Sequence, residues 1–310
     1  MNKITSTVSH VEVLPDRAGQ RLDNFLSARL KGLPRSVVYR IIRTGQVRVN
    51  GGRAKPATRL EAGDMVRIPP ASIRENKPGD IPPAVLELIK ASICYEAHGV
   101  MVVNKPAGMA VHGGSSLAWG VIDVVRKLRE GTNVDLVHRL DRETSGCLLL
   151  ALDGDALRDL NTQVLENQLD KRYLCLLDGT LNQGLVDVRE PIGQYERSGQ
   201  RFMRVDPDGK PAHTTFRLLQ NYREYSFVEA ELHSGRTHQI RVHAAHLGLP
   251  LAGDKRYSPA KRQKFWKATG LKRMFLHAHQ IRFHTRDGEE QLVSAPLPTV
   301  LSQLLEKLIN

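Results

Sequence analysis

Cysteine is scarce in this chain: 3 in 310 residues, Cys94, Cys147 and Cys175. An odd number in apolar, strand-like surroundings, with no metal-ligand spacing, excludes a disulfide framework and predicts reduced thiols in a reducing compartment. Long apolar runs are missing too. The longest, Cys147 to Leu152, falls far short of a bilayer span. The opening MNKITSTVSH has no apolar signal-peptide centre, so a cytoplasmic protein with no membrane partner is expected. The dinucleotide fingerprint, the phosphate loop and the nucleophile-elbow serine are all absent from the sequence, which sets aside the chemistries those motifs serve.

Acidic residues are the last shortage. Against 45 Lys+Arg stand 33 Asp+Glu, a formal net charge of +12. Residues 17–68 hold 12 of the basic residues and only 3 of the acidic ones. An excess concentrated in this way predicts a polyanionic partner, and nucleic acid is the natural candidate.

The length favours two domains. Residues 1–18 read as an extended N-terminus. From Gly19, Leu22, Phe25, Leu26 and Leu30 recur at helical spacing, and Val37, Val38, Ile41 and Ile42 do so again before Gly45. Val47-Arg48-Val49-Asn50-Gly51-Gly52 predicts a strand entering a turn, and Asp64 to Ile68 a closing strand, which completes a module over 19–70. Its polar sides carry Arg21, Arg29, Lys31, Arg35, Arg40, Arg43, Arg48, Arg53, Lys55 and Arg59. The proline-rich PPASIRENKPGDIPPA then marks a linker, placed at 71–84.

Over 85–310 short strand patterns outnumber helices. Strands are predicted at 93–95, 100–104, 147–152, 173–177, 202–205, 214–219, 227–232 and 281–284, and helices at 119–130, 154–167, 237–247 and 299–309. Joined mostly by short turns, these strands predict an α+β domain with a large mixed, mainly antiparallel sheet. Four stretches set polar residues into this pattern: NKPAGMAVHGG (104–114), VHRLDRETSG (137–146), DKRYLCL (170–176) and HSGRTHQIRVHAA (233–245). The second places His138, Arg139, Asp141, Arg142 and Glu143 directly before the longest apolar run. Either this is a solvated turn before a strand, or a carboxylate is held by arginines at the mouth of a pocket. Asp141 and Glu143 resemble a glycosidase pair only in composition, because the arginines around them would leave no general acid. His138, His238 and His243 keep no ligand spacing with a carboxylate or cysteine, so no metal is expected.

Residues 19–52, GQRLDNFLSARLKGLPRSVVYRIIRTGQVRVNGG, resemble the S4 type of small RNA-binding domain, with two helices, a β-turn and a basic face. The resemblance implies RNA contacts by Arg21, Arg35, Arg40, Arg43, Arg48 and Arg53. HRLDRETSG followed by GRTHQIRVH, with KPAG before them and Tyr173 between, resembles the RluA-type family of pseudouridine synthases, over nearly the whole chain from Gly19. That family breaks the C1′–N1 bond of a uridine, turns the uracil and joins C5 to C1′ while a proton leaves C5. An isomerisation of this kind needs no cofactor.

The family resemblance implies a role for each site residue. Asp141 is the essential carboxylate, acting on C1′, on C6 or as a base on the ribose. A carboxylate in a partly dry pocket needs a nearby cation, and the resemblance assigns that place to Arg236. Tyr173 would stack on the flipped uracil, its hydroxyl available to relay the C5 proton. Arg139 would enter the vacated base stack or hold the displaced nucleotide, with His138 beside it in substrate binding; the plainer alternative for Arg139 is a phosphate contact or a surface salt bridge. Lys105 to Gly108 would shape the wall of the site, and Thr144, Ser145 and Gly146 the turn that aims Asp141. The implied substrate is 23S ribosomal RNA of the large subunit, free or in an assembly intermediate, modified at several uridines; nothing in the sequence suggests obligate association, so a monomer is expected. Two alternatives stay open: the same chemistry on another ribosomal or transfer RNA, and a non-catalytic S4-domain assembly factor.

Overall fold

A computed structural model describes residues 7–30, 33, 35–70, 81–113, 118–197 and 199–309. The expected linker therefore lies mostly outside the described residues, as do Lys31, residues 114–117 of the 104–114 stretch and its continuation, and the side chain of Arg35. The chain divides into two units, residues 1–77 and 78–310. Among the described residues no helix is long and apolar enough to cross a membrane.

The first unit contains β1 (Ser9–Glu12), α1 (Leu22–Arg29), α2 (Arg35–Arg43), β2 (Arg48–Val49), β3 (Gly52–Arg53) and β4 (Met65–Ile68), with sheet order β1-β4-β2-β3. The predicted helical stripes pack as expected: Leu22, Phe25 and Leu26 of α1 meet Val38, Ile41 and Ile42 of α2 in one buried core with Val66 and Ile68. At the end of α2 Gly45 takes φ 72, and the amides of Gly45 and Gln46 donate to the carbonyls of Ile42 and Ile41. Only a residue tolerant of that left-handed backbone closes a helix this way. Asn50 and Gly51, φ 50 and 76, form the tight turn between β2 and β3. The N-terminal lead-in is not separate from this module. Ser9–Glu12 pairs antiparallel with β4, and Val13 lies in the same core.

The second unit contains α3 (Pro83–Ala91), β5 (Ile93–Ala97), β6 (Val100–Lys105), α4 (Val121–Leu128), β7 (Asp135–Leu136), β8 (Ser145–Ala151), α5 (Gly154–Leu165) and β9 (Asp170–Leu177). It continues through β10 (Leu185–Val188), β11 (Ile192–Arg197), β12 (Gln200–Val205), β13 (Thr214–Tyr222), β14 (Tyr225–Leu232), α6 (Gln239–His246), α7 (Ala260–Ala268), β15 (Leu276–His284), β16 (Glu290–Ser294) and α8 (Thr299–Ile309). A ten-stranded sheet runs β10-β13-β14-β9-β15-β8-β6-β5, with β16 on β15 and β7 on β8, while β11 and β12 pair as a separate hairpin. The fold is α+β with the expected mixed, mainly antiparallel sheet. Its one parallel pairing among the described strands joins β8 to β15.

This seam explains the apolar run. Leu148 and Leu150 face one core with Met101, Val103 and Tyr173, whereas Cys147, Leu149 and Ala151 face another with Leu160, Ile281 and Phe283. A strand covered on both faces has no reason to alternate with polar residues. Gly146 opens the seam at φ 110, and a Cβ there would lie 2.1 Å from the Ala278 carbonyl oxygen. Glycine lets the two backbones meet at the point where the charged loop ends.

Candidate active site

The loop 137–144 is fastened before it reaches β8. The His138 ring accepts at Nε2 from the Leu149 amide at 3.1 Å. Burial, then the Lys171 charge, pushes this imidazole down to about 3, so it is neutral. His138 was expected to contact RNA; its ring nitrogen is instead spent bracing the loop against β8. The Thr144 amide donates to the Asp141 carbonyl at 3.1 Å, which closes the expected turn. Asp141 is left half-buried at its edge, with Arg139 and Glu143 exposed beside it.

Two further groups hold this turn from below. Lys105 is fully buried, and its Nζ donates to the carbonyls of Pro106 and Met109 at 2.9 Å and Arg142 at 3.1 Å. Burial, then the Arg273 charge, pushes its ammonium down to about 7, with Glu143 and Asp141 opposing. The KPAG segment is thus laced to the residue following Asp141, and the Gly108 amide adds a bond to the Arg142 carbonyl at 2.8 Å. Arg273 donates from Nη2 to Ser145 Oγ at 2.8 Å and the Leu276 carbonyl at 3.0 Å. Ser145 Oγ lies 2.8 Å from His277 Nδ1, whose Nε2 lies 3.1 Å from the Ala295 carbonyl. A carbonyl can only accept, so Nε2 carries the His277 proton and Ser145 donates to Nδ1.

The cation on Asp141 is Arg241. Its Nη1 lies 3.0 Å from Asp141 Oδ2. Its Nε and Nη2 bind Asp254 Oδ2 and Oδ1 at 2.7 and 2.9 Å. Asp254 is fully buried and also accepts from the Arg256 and Tyr257 amides. Burial opposes the Arg241 charge, but the bonds and charges of Asp254 and Asp141 outweigh it and raise the guanidinium above its ordinary value. A planar fork held this way can present its remaining edge in only one direction.

The expected pairing of Asp141 with Arg236 is therefore corrected. Gln239 knits the segment before α6 to β13. Its Oε1 accepts from the Arg236 amide and Ser234 hydroxyl, and its Nε2 donates to the His213 carbonyl and Thr214 Oγ1. His238 then turns the chain through φ 57 into the helix. Arg236 stays on the exposed side of that turn, its Nε donating to the Pro211 carbonyl at 2.9 Å. Arg241, one residue past two helical positions, is buried. One signal for it was available. Arg241 shares a helix face with Ala244, three residues on, and a small apolar residue there marks that face as one turned toward the core.

Tyr173 stands in β9, in register with Ala230 of β14 and Ala278 of β15. Its side chain is buried in the core that includes Leu140 and Leu148. Burial first, then the Asp141 charge, raises its hydroxyl above the usual phenol range, so it keeps its proton. The structure brings Asp141, Arg241, Tyr173 and Lys105 together around one turn. Among the described residues no group of three or more His, Cys, Asp or Glu is arranged to hold a metal ion.

The basic face of the first unit divides into two kinds. Arg21 pairs with Asp23 at 2.7 Å, and Tyr39 donates to the same carboxylate at 2.8 Å. The Arg21 bond, foremost, lowers that carboxyl to about 2. Its charge is thus matched within the unit. Arg40, Arg43 and Arg53 are exposed. Arg48 stands in register between Arg53 of β3 and Arg67 of β4. Like charges directly opposed across strands destabilise a sheet, which favours an anion over them. Arg67 was not singled out among the expected contacts, although its place beside Val66 and Ile68 in an alternating strand marks it as outward-facing.

Comparison with known proteins agrees with this division. The pattern described as RNA pseudouridylate synthase matches residues 99–246, and that of the S4 domain matches residues 20–66. The chain is 44% identical over 317 residues to the ribosomal large subunit pseudouridine synthase C of Escherichia coli K12, covering 100% of this chain and 99% of that protein. It is 42% identical over 310 residues to the protein of the same name from Haemophilus ducreyi, covering 98% and 97%. Among solved structures, human RNA pseudouridylate synthase domain containing 4 is similar with a TM-score of 0.60 at 25% identity, over 73% of this chain and 95% of that one. Human RNA pseudouridylate synthase domain containing 1 is similar with a TM-score of 0.56 at 28% identity, over 70% and 94%.

Proposed function

Since the chain belongs to the RNA pseudouridylate synthase family, we propose that it isomerises uridines of large-subunit (23S) ribosomal RNA to pseudouridine, at several positions, with Asp141 as the essential carboxylate. The names of its full-length relatives support the substrate, and the basic face of the S4 domain fits a large polyanion. The observation that carries the site is the ion pair of Asp141 with Arg241, whose other edge is locked on buried Asp254.

The chemistry follows from that geometry. Breaking C1′–N1 leaves electron deficiency on the ribose and a detached uracil that must turn without escaping. A carboxylate held in one orientation can meet the reacting carbon or hydrogen without searching for it. Tyr173 offers a buried ring next to that carboxylate, suited to holding the flat base. Its retained hydroxyl proton means that the phenol enters the reaction as a donor, and accepts the C5 proton only as it gives up its own. Arg139, exposed on the loop, is free to contact the displaced strand or the gap left by the flipped nucleotide.

The test is pseudouridine mapping of ribosomal RNA from cells lacking the protein, rescued with wild type or Asp141→Asn. Several large-subunit positions should lose the modification, regain it with wild type and stay unmodified with the variant. Restoration by Asp141→Asn would leave an S4-domain assembly factor as the better reading. Loss confined to small-subunit or transfer RNA would redirect the substrate.

A further inference from the structure

One side chain next to the carboxylate has no part in the account above. His238 lies with Nε2 3.8 Å from Asp141 Oδ2, beyond a hydrogen bond but on the same oxygen that Arg241 binds. It holds a left-handed backbone, φ 57 and ψ 22, that a non-glycine residue adopts only when its surroundings require it. Its ring makes no capping bond to the helix it precedes. Nδ1 is instead 2.7 Å from the hydroxyl of Tyr257.

Tyr257 determines what His238 can do. The phenol oxygen accepts from the Met203 amide of β12 at 3.3 Å. With the oxygen anchored by that amide, the phenol's single proton is free to point at Nδ1 of His238. An imidazole that accepts at Nδ1 and is neutral carries its proton on Nε2. Burial, opposed by Asp141, pulls His238 below the ordinary histidine range and so favours the neutral ring. The N–H then faces the carboxylate. Tyr257 is fixed in turn: its amide donates to Asp254 at 3.2 Å, and the Arg241 guanidinium lies over its ring, 4.9 Å from the centroid. Next to it, Arg256 lies 4.3 Å from the ring centroid of Phe202 on the β11–β12 hairpin and also donates to the Arg201 carbonyl.

We propose that His238 is a positioning residue for Asp141, held as its Nε2–H tautomer by Tyr257, and that this pair ties the carboxylate to the β11–β12 hairpin. Arg241 alone leaves the carboxylate free to pivot about one bond. A second donor on another side, brought into contact when substrate fills the site, removes that freedom. The hairpin backbone supplies the fixed end of the relay, so an RNA strand seated on β12 would tighten it. This deepens the assignment of Asp141 as the essential carboxylate and rests on it.

Tyr257→Phe is the cleanest probe, because it keeps the ring over which Arg241 lies and removes only the hydroxyl. In the full-length protein on a 23S ribosomal RNA transcript, kcat should fall about tenfold with KM within about twofold of wild type. Nitrogen-15 spectra of histidine-labelled protein should show the Nε2–H tautomer at His238 in wild type and a mixture in Tyr257→Phe, whatever the activity. Two substitutions at 238 separate reach from backbone strain. Asn suits a left-handed residue but is too short to reach Asp141, whereas Gln places an amide N–H near the position of Nε2. His238→Gln should therefore retain more turnover than His238→Asn. Wild-type kcat and an unchanged tautomer in Tyr257→Phe would overturn the proposal, as would His238→Asn outperforming His238→Gln. Turnover by Asp141→Asn in the same assay would overturn the underlying site assignment, while the spectra would still judge the Tyr257–His238 tautomer on their own.

Discussion

Arg241→Lys keeps a positive charge in the site and removes its fork. In the wild type three nitrogens are committed, Nε and Nη2 to Asp254 at 2.7 and 2.9 Å and Nη1 to Asp141 at 3.0 Å. A lysine has one nitrogen at the end of a flexible stem and cannot reproduce the planar arrangement that joins both carboxylates. Asp254 is fully buried and Asp141 half-buried, so the ammonium should move to Asp254, where an unmatched charge would cost most. Asp141 then loses one charge-assisted bond, about 1.5–3 kcal/mol. If that bond orients the carboxylate in the transition state, kcat falls roughly 10- to 100-fold. The reaction releases the C5 hydrogen, so tritium release from RNA carrying 5-tritiated uridine measures it directly. Arg236→Ala is the matched control. That side chain is exposed and, among the described residues, bound only to the Pro211 carbonyl, so stability should change by less than about 0.5 kcal/mol, and kcat by about twofold at most. Its KM is free to rise, because an exposed cation near the site can contact phosphate. Near-normal turnover by Arg241→Lys together with an inactive Arg236→Ala would refute the geometry on which the ion pair is assigned.

Tyr173→Phe should bind RNA as wild type does in filter binding and lose turnover in the tritium assay, because the ring stays and only the hydroxyl goes; equal kcat would leave stacking as its sole role. Acid should destabilise the larger unit through His277, which burial pushes down to about 4 from 6.5. Its unfolded form takes up a proton below about 6.5 and its folded form only near 4, so stability is lost as pH falls through that window, by about 3 kcal/mol for this group. Urea unfolding at pH 7 and pH 4 checks this, and a midpoint that does not move would refute it. In the S4 domain, Arg53→Ala should reduce the slope of log affinity against log salt by somewhat less than one. Arg21→Ala should instead lower stability through the loss of its bond to Asp23, with little change in that slope.

The elements legible in the sequence are those whose burial repeats locally. Leu22, Phe25 and Leu26 announced α1, Asn50-Gly51 announced the turn, and Cys147 to Leu152 announced a strand, which the fold covers on both faces. Elements with little buried surface did not show. Helix α7, AKRQKFWKA, buries only Trp266, and β1 alternates half-buried with exposed residues, so its pairing with β4 leaves no strong pattern. Helix α3 opens on Pro83 at the end of a proline-rich stretch that reads as linker. The site shows the same limit more sharply. Asp141 and Tyr173 could be placed because their motifs are contiguous. The partner of Asp141 could not, because GRTHQIRVH offers two arginines and the backbone reverses between them at His238. The anchor that selects Arg241 lies at Asp254, 13 positions further on, and only folding brings it there.

That anchor also changes how the charge of the site is understood. Arg241 is shared between two carboxylates, so it cannot be regarded as a neutralising partner for Asp141 alone. The remaining cations, Lys105 and Arg273, face backbone carbonyls and Ser145 on the underside of the same turn. Burying an ammonium costs desolvation that its bonds to three carbonyls at best offset. Stability therefore does not account for Lys105. Position does. Its bond to the Arg142 carbonyl and the Arg273 bond to the Ser145 hydroxyl hold the chain on both sides of Glu143, and Asp141 sits at the start of that segment. A reaction that detaches a base and rejoins it through another atom tolerates little movement of the group that guides it. The charged residues at the edge of the core thus fall into two layers: an upper one, Asp141 with Arg241, proposed to meet substrate, and a lower one that keeps the first from moving.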